Sequence, residues 1–447
     1  MIWGQHLMKV YKFGGTSVGT PDRMKHVAEL VTADQEKKII VLSAISGTTN
    51  ALVEIGELFQ LGNINGSIAR LEELRATYDP FMQALLSKTS SKERAFKMVN
   101  QYFDEMHRLI CQPFYKQILK IIIVNGELIS THLFQMYLNE RYPNCATSIP
   151  ASEFMYLNDS EEPNMELISA KLDSLIKQNI TYKLLITQGF ICRNCSGGID
   201  NLSRGGSDYS ATIMGAALKA EEIQIWTDID GMHNNDPRIV NNTKPISNLS
   251  FEEAGELAYF GAKILHPNCI IPAQQFDIPV RIKNTMKPTA HGTLITSDQN
   301  PETVKAIAAK DGITAIKIKS SRMILAYGFL RKVFEVFEQY QTPIDMITTS
   351  EIAVSVTIDT PKFLNKIVQG LQEYGKVEVD RNQTIICIVG DMVGAQKGVS
   401  SDIFKALEDL PIRMISYGGS RNNISLLVKD NLKEKTLKAL NRQLFNL

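Results

Sequence analysis

Cysteine is scarce in this chain, with six residues among 447. So small a number cannot form a disulfide framework in a chain of this length. Only Cys192 and Cys195 have the CxxC spacing of metal sites, and neither a second CxxC nor a nearby histidine completes a zinc set. We therefore expect reduced thiols, no metal ion held by the protein alone, and a reducing, cytoplasmic location.

Long apolar runs and an excess of charge of one sign are also missing. The longest apolar stretch, around 118–124, is far shorter than the roughly 18 residues that indicate a membrane span. Lys and Arg total 48, and Asp and Glu total 48. This balance argues against a nucleic-acid or membrane partner but allows a locally basic site for a small anion. The N-terminus has no signal-peptide pattern, and Met1 and Met8 are both candidate start residues.

Apolar runs alternate with helical patterns through the first 297 residues. The patterns predict a helix at 23–33 and a long helical region from 51 to about 119, broken at 62–66 and near 79–80. The predicted buried strands are 10–13, 38–43, 120–124, 182–187 and 222–227. This alternation predicts a three-layer α/β/α domain over residues 1–297 with a mostly parallel sheet.

The remaining residues contain a weak internal repeat with a spacing of about 70 residues, seen in 328–356 and 398–428. Asp345-Met346-Ile347 in the first copy matches Arg413-Met414-Ile415 in the second, and both copies end in alternating strand patterns. The spacing predicts two small α+β domains in tandem. A polar segment at 297–303 precedes them as a candidate linker.

KFGGTSVG (12–19) follows the first predicted strand directly. Gly14 and Gly15 let backbone N–H groups approach an anion closely, Thr16 adds a hydroxyl donor and Lys12 adds a positive charge. The positive end of the next predicted helix faces this loop. The combination favours a phosphate site, although Gly-Gly after a strand is, taken alone, more often a plain tight turn.

Two further segments place polar groups near predicted strand ends. VLSAISGTTN (41–50) supplies Ser43 and Thr49 where an open parallel sheet binds ligands, although a helix cap explains them as well. In VNGELIS (124–130), Glu127 follows a predicted strand and can hold a cationic amine. The alternative for Glu127 is a capping role in a first helical turn.

QGFI (188–191) ends a predicted strand, and SRGGSD (203–208) opens the helix that follows. Arg204 offers a planar fork that matches a carboxylate. Ser207 or Asp208 would cap the helix, and Asp208 could also pair with an ammonium group. A plain turn does not need Arg followed by Gly-Gly-Ser-Asp, so this segment favours a functional site.

WTDIDGMHNNDPR (226–238) begins in a predicted strand and continues into a loop rich in Asp and Asn. Its spacing does not fit a calcium-binding loop, because the required Gly and terminal Glu are absent. A nucleotide suits the segment better, with Arg238 near the phosphates. FGAKILHP (260–267) adds Lys263 as a second cation near a helix end.

Together with PVRIKNT (279–285), these motifs resemble, in content and order, the aspartokinases of the amino-acid kinase family. The C-terminal repeat resembles the tandem ACT domains of that family and is similar to its lysine-sensitive, single-function type. The resemblance implies ferredoxin-like α+β ACT domains at 313–385 and, discontinuously, at 298–312 with 386–447.

The resemblance implies transfer of the ATP γ-phosphoryl group to the β-carboxylate of L-aspartate, the first step of lysine, threonine and methionine biosynthesis. A carboxylate nucleophile with a pKa of about 4 needs no general base, so catalysis reduces to positioning and charge neutralisation. Mg²⁺ would be held mainly by the nucleotide phosphates.

The resemblance also assigns roles to residues. Lys12 would stabilise the transferring phosphoryl group, and Asp208 would organise Lys12 and the substrate amine. Arg204 would clamp the α-carboxylate and Glu127 would take the α-amino group. The aspartate pocket would be shaped by Thr49, Phe190 and Ser207. The nucleotide residues would be Gly14, Gly15, Thr16, Ser43, Thr227, Asp228, His233, Arg238 and Lys263.

An allosteric lysine site is implied between ACT domains of two subunits, in a homodimer that could pair into a tetramer. Its residues would be Met323, Phe329, Leu330, Ile344, Asp345, Ser350 and Glu351. The chain departs from the family pattern at three positions, since the family commonly has Tyr at His233, Gly at Ser203 and Ser at Ala326.

The sequence leaves three alternatives open. The chain could phosphorylate another acid on the same fold, as glutamate 5-kinase does, although the paired NGE and RGGSD motifs and the ACT repeat argue against this. It could be a catalytically silent amino-acid sensor, which the intact Lys12, Arg204 and Asp208 disfavour. The effector could also be threonine and not lysine.

Overall fold

The computed structural model describes residues 8–202, 205–261, 265–298, 304–320, 327–391 and 398–447. The chain divides into two compact units. The first comprises Met1–Met232, Ser247–Phe251 and Leu265–Asp298, and the second comprises His233–Ile246, Glu252–Ile264 and Gln299–Leu447.

The first unit contains an eight-stranded sheet in the order β3-β4-β2-β1-β7-β9-β10-β8. Neighbouring strands are parallel except for the antiparallel pair β9 and β10, and β5 and β6 form a separate hairpin. The strands are β1 (Lys9–Phe13), β2 (Lys38–Leu42), β3 (Ala146–Ser148), β4 (Leu184–Gln188), β5 (Ile191–Arg193), β6 (Ile199–Asn201), β7 (Ile223–Thr227), β8 (Asn248–Ser250), β9 (Val280–Asn284) and β10 (Thr293–Thr296). This architecture confirms the predicted α/β fold with a mostly parallel sheet.

Helices accompany this sheet, as expected when parallel strands are joined by crossover connections. They are α1 (Pro21–Thr32), α2 (Thr48–Gln60), α3 (Ile64–Leu85), α4 (Thr89–Ile110), α5 (Lys116–Arg141), α6 (Ala151–Phe154), α7 (Met165–Gln178), α8 (Gly206–Leu218), α9 (Phe251–Tyr259) and α10 (Ile271–Gln275). Only Phe251 of α9 belongs to the first unit. Within the described ranges, no helix is both long enough and apolar enough to cross a bilayer.

The strand predicted at 120–124 is wrong, because these residues lie inside α5. The buried positions of α5 include Ile118, Ile122, Ile129 and Leu133, which recur at helical spacing. Around 122–134 the helix is buried on most sides, so its apolar run has no polar face to reveal the helical period. Glu127 therefore lies in the middle of a helix, neither after a strand nor in a first turn.

The break predicted near 79–80 is also absent, because α3 runs through Pro80. Its buried residues Leu71, Leu74, Tyr78 and Met82 form one continuous face on both sides of the proline. Burial of this face offsets the roughly 3 kcal/mol that an interior proline costs a helix. The other break lies between α2 and α3, where Gly62 has a φ of 77°.

The second unit contains a six-stranded antiparallel sheet in the order β12-β13-β11-β14-β16-β15. Its strands are β11 (Ala306–Lys319), β12 (Ile347–Thr349), β13 (Ala353–Ile358), β14 (Lys376–Val389), β15 (Met414–Tyr417) and β16 (Asn423–Lys429). Its remaining helices are α11 (Phe329–Gln339), α12 (Leu364–Gln372), α13 (Val399–Ala406) and α14 (Lys433–Phe445). The two predicted α+β repeats are thus present within one sheet.

β11 and β14 each take part in both repeats. Residues 306–310 of β11 pair with 385–389 of β14, whereas 313–319 pair with 376–383 and with β13. Ile307 belongs to the apolar cluster of α13 and α14, while Ile316 belongs to that of α11 and α12. Residues 306–310 therefore pack with the second repeat.

Candidate active site

Lys12 and Asp208, the two predicted catalytic residues, form an ion pair at the carboxyl end of β1. The Nζ–Oδ1 distance is 2.6 Å, and the side chains are only 11% and 16% exposed. Lys12 is in β1, and Asp208 is in the first turn of α8. The positive end of the α8 dipole lies at this first turn and attracts negative charge.

The loop after β1 approaches its neighbours backbone to backbone. The N–H of Gly14 donates to the carbonyl oxygen of Trp226 at 3.4 Å. A Cβ added to Gly15 would lie 3.0 Å from the carbonyl oxygen of Ala44. A Cβ added to Gly14 would meet only the Lys12 Nζ, at 3.4 Å. The loop thus leaves room for an anion beside the Lys12 ammonium group.

Ser17, in this loop, contacts Thr285, which follows β9. The sequence patterns did not predict this contact. The Oγ atoms of the two residues lie 2.7 Å apart, and both residues are buried. The carbonyl of Thr285 also contacts Nε2 of His26, at 2.9 Å. Both threonine and serine lie within recognised motifs, but 268 residues separate them, so only the fold reveals their contact.

Glu127 lies in α5 with 3% of its surface exposed. Its Oε1 accepts the N–H of Ala44 at 3.3 Å, whereas Oε2 is buried without a hydrogen-bond partner. Burial raises the pKa of this carboxyl group to about 7. A buried carboxylate oxygen without a donor suits a site that receives an ammonium group.

The end of β4 and the start of α8 are in close contact. A Cβ on Gly189 would lie 2.4 Å from the Cβ of Ser207, and one on Gly206 would lie 2.8 Å from the Phe190 ring. Phe190 itself has a φ of 67°, and its N–H donates to Oγ of Ser210 at 2.8 Å. A non-glycine residue in the left-handed region is strained, and such strain is concentrated at functional sites.

Thr48 and Tyr78 form a second contact that the sequence did not predict. Their hydroxyl oxygens lie 2.9 Å apart, and both residues are buried. The bond ties α3 to the start of α2, next to the predicted pocket residue Thr49. No local motif surrounds Tyr78, so a sequence pattern could not single it out.

The predicted nucleotide residues fall into both units. In the first, Thr227 accepts a backbone bond from Thr285 at 2.8 Å and donates to exposed Asp228 at 3.1 Å. In the same unit, Ser43 is partly buried and Thr16 is exposed.

The second unit contains His233, whose Nδ1 lies 2.9 Å from Oγ1 of Thr243. It also contains Arg238, which is 73% exposed and pairs with Asp236 through Nε at 2.9 Å and Nη2 at 2.7 Å. This guanidinium group holds the pKa of Asp236 below its usual value. Nucleotide binding by His233 and Arg238 stays a prediction.

Asp345 is the predicted effector residue with the most distinctive environment. Its carboxylate is 2% exposed, and Oδ1 accepts from Tyr259 at 2.7 Å and from Lys310 at 2.8 Å. Lys310 also pairs with Asp359 at 2.9 Å. Burial raises the pKa of Asp345 in spite of these donors.

The other described effector residues lie in different parts of the first repeat. Phe329 is buried at the start of α11, Ile344 is partly buried, and Leu330, Ser350 and Glu351 are exposed. Five residues singled out from the sequence lie outside the described ranges, namely Ser203, Arg204, Lys263, Met323 and Ala326.

Comparisons with known proteins place the fold in a class. The model of the amino acid kinase family matches residues 8–284, and that of an ACT domain matches residues 386–444. The chain is thus an amino acid kinase by fold.

Individual relatives narrow this class. The chain is 32% identical to the lysine-sensitive aspartokinase 3 of Escherichia coli (strain K12), over 98% of this chain and 99% of that protein. It is 34% identical to the chloroplastic aspartokinase 3 of Arabidopsis thaliana, over 98% and 81%. The chain therefore belongs to the aspartokinase family, which confirms the resemblance drawn from its motifs and the prediction of a kinase.

Solved structures of aspartokinase have the same fold as this chain over nearly its whole length. The crystal structure of E. coli aspartokinase III with aspartate and ADP (R-state) has a TM-score of 0.83 at 32% identity, covering 98% of this chain and 100% of that one. The structure of the same enzyme with lysine and aspartate (T-state) has a TM-score of 0.80, covering 98% and 99%.

Proposed function

We propose that this protein transfers the γ-phosphoryl group of ATP to the β-carboxylate of L-aspartate, giving 4-phospho-L-aspartate. The observation that carries the proposal is the Lys12–Asp208 ion pair next to the Gly14-Gly15 loop. In the described part of the site, this arrangement offers a fixed positive charge and backbone donors. A phosphoryl transfer to a carboxylate, which is already ionised at neutral pH, has these requirements.

Each polar group near the pair then has a separate task. Lys12 neutralises charge on the transferring phosphoryl group, and Asp208 holds its ammonium group in position. Glu127 receives the α-amino group of aspartate through its unpaired Oε2. Arg204, assigned from the motif alone, clamps the α-carboxylate. Catalysis on this account comes from positioning and electrostatic stabilisation.

Mg²⁺ is the ion expected to accompany ATP. Among the described residues, no cluster of three or more His, Cys, Asp or Glu side chains could hold an ion alone. The donor chemistry therefore fits an ion that takes most of its oxygen ligands from the phosphates, with the exposed carboxylate of Asp228 available beside β7. Bound Mg²⁺ would supply charge neutralisation.

We further propose that L-lysine inhibits the enzyme at the first ACT repeat, in a homodimer formed through these repeats. Support comes from the lysine-sensitive relative and from the environment of Asp345. Among the described residues, the two carboxylates of Asp345 and Asp359 share the ammonium group of Lys310, and Oδ2 of Asp345 is buried without a hydrogen-bond partner. A cluster with more carboxylates than cations favours a ligand with an ammonium group. The pathway place implied is the entry to lysine, threonine and methionine synthesis.

The test is ATP-dependent acyl hydroxamate formation with aspartate and, separately, glutamate as acceptor. We expect product with aspartate, ADP in equal amount and little product with glutamate. Titration with lysine and threonine then identifies the effector. Preference for glutamate would replace the proposal by a glutamate kinase, and lysine binding without ATP binding would indicate a silent sensor.

A further inference from the structure

The turn between β4 and β5 is held in a strained conformation. The N–H of Ile191 donates to the carbonyl of Gly189 at 2.7 Å, and Phe190, between them, has a φ of 67°. A hydrogen bond between residues i and i+2 around a positive φ belongs to the rare, strained form of the γ-turn. A non-glycine residue stays in this conformation only where its surroundings fix it there.

Two hydrogen bonds fix the backbone of Phe190. Its carbonyl accepts from the N–H of Leu202 at 2.7 Å, and its N–H donates to Oγ of Ser210 at 2.8 Å. The first bond joins two backbone groups and does not depend on the identity of a side chain. The second bond needs an acceptor on the side chain of residue 210, so Ser210 is the side chain on which the turn depends.

Ser210 lies in α8 and is fully buried. Its hydroxyl donates to the carbonyl of Gly206 at 3.0 Å, so its proton is already used and its oxygen is free to accept from Phe190. One hydroxyl group thus connects the turn after β4 to the first residue of α8. Both elements belong to the first unit.

The two elements that Ser210 connects contain the predicted pocket residues Phe190 and Ser207. They are packed without spare room, since a Cβ on Gly206 would lie 2.8 Å from the Phe190 ring and one on Gly189 would lie 2.4 Å from Oγ of Ser207. A change in the turn must therefore move the Phe190 ring, the Ser207 side chain or both.

We propose that Ser210 is a positioning residue for the acceptor acid, whose hydroxyl holds Phe190 in the strained turn and thereby sets the width of the pocket. Without this hydroxyl the N–H of Phe190 loses its acceptor, and the turn relaxes toward negative φ. The pocket then loses the shape that separates aspartate from glutamate, which is one methylene longer. The inference rests on the proposed function, because it concerns the acceptor site of that reaction.

The test is Ser210→Ala, measured by initial-rate kinetics of the full chain with ATP and either aspartate or glutamate. Because a hydrogen bond that shapes the pocket is lost, we expect the KM for aspartate to rise about five- to tenfold. The KM for ATP should stay within about twofold. The preference in kcat/KM for aspartate over glutamate should fall about five- to tenfold, since the relaxed pocket admits the extra methylene. Ser210→Thr, whose hydroxyl can make the same bonds, should keep most of the aspartate affinity.

Ser67→Ala is the matched control. Ser67 is also a fully buried serine near the start of a helix in the first unit, and its Oγ donates to the carbonyls of Ile55 and Asn63 at 3.2 and 3.0 Å. This variant should lower Tm as Ser210→Ala does, but it should leave the KM for aspartate unchanged.

Three results overturn the proposal: an unchanged KM for aspartate in Ser210→Ala, an equal rise in the KM for ATP, or a Ser210→Thr variant that behaves like Ser210→Ala. A protein that phosphorylates glutamate but not aspartate would contradict the proposed function instead. The split between the KM for that acid and the KM for ATP would then still decide the role of Ser210.

Discussion

At the scale of single residues, the proposed chemistry depends most on Lys12. Its ammonium group is nearly buried, is held by Asp208 at 2.6 Å, and faces the space left open by Gly14. A preorganised cation in a site with little water stabilises developing charge far more than the same cation in solution.

Replacement of Lys12 by Met should therefore lower kcat/KM by about 100- to 1,000-fold, or about 3–4 kcal/mol of transition-state stabilisation. The measurement is initial-rate kinetics with both substrates. Lys25→Met is the control, because among the described residues Lys25 forms its ion pair with nearby Asp22 on the surface of α1. A Lys12 variant with nearly unchanged kcat/KM would contradict the assigned role.

The buried Glu127 carboxyl group should make the KM for aspartate depend on pH. Its pKa in the folded protein is about 7, above the ordinary 4.5, because burial disfavours the ionised form. Only the ionised form attracts the α-amino group of aspartate. The KM for aspartate should therefore rise by up to tenfold for each pH unit below about 7, and Glu127→Gln should have a high KM without this pH dependence.

The same ionisation of Glu127 that favours aspartate binding should lower the stability of the folded protein. The folded state binds the Glu127 proton more tightly than the unfolded chain, so this contribution to the free energy of unfolding is complete below pH 4.5 and is lost as pH rises to about 7. At pH 8, Glu127→Gln should thus be more stable than the unmodified protein by up to about 3 kcal/mol. Urea unfolding at pH 5 and pH 8 measures this, and equal stability at pH 8 would contradict it.

At the scale of elements, the ends of strands set the geometry of the site. The motif after β4 meets the first turn of α8 so closely that Gly189 has no room for a side chain. Gly189→Ala should cost about 1–3 kcal/mol of stability, as overpacking does, and should weaken aspartate binding because Ser207 must move. Gly419→Ala, with open space around it, is the control for both the unfolding and the kinetic measurement.

Short buried strands could be predicted from their apolar runs, whereas a long helix that is buried on most sides could not. β1, β2, β4 and β7 follow from short apolar runs, and the polar residues at their ends predicted the site. The run at 120–124 was mistaken for a strand because α5 is buried on most sides. Helix α3 continues through Pro80 because burial of its apolar face outweighs the tendency of proline to end a helix.

Contacts between residues far apart in the chain could likewise not be predicted from the sequence. Ser17–Thr285, Thr48–Tyr78 and Tyr259–Asp345 each join separate elements, and the last pair is 86 residues apart. Such pairs depend on the packing of whole elements, and no local pattern encodes them.

At the scale of the whole molecule, we propose that the second ACT domain is discontinuous, as its strand pairing suggests. Residues 306–310 pair with 385–389, and Ile307 packs with α13 and α14. A fragment 304–447 should therefore unfold cooperatively at a higher temperature than a fragment 313–447, which lacks residues 306–310 of β11. Calorimetry compares the two, and equal melting temperatures would contradict the boundary.

The activity that we propose for the whole molecule is phosphorylation of the β-carboxylate of L-aspartate. The most direct measurement is to incubate the protein with ATP, Mg²⁺ and aspartate, reduce the acyl phosphate with borohydride, and identify the resulting amino alcohol. Reduction of a β-acyl phosphate gives homoserine, which is the predicted product. Its absence from a folded, ATP-binding preparation, or recovery of the isomer reduced at the α-carboxylate, would contradict the account.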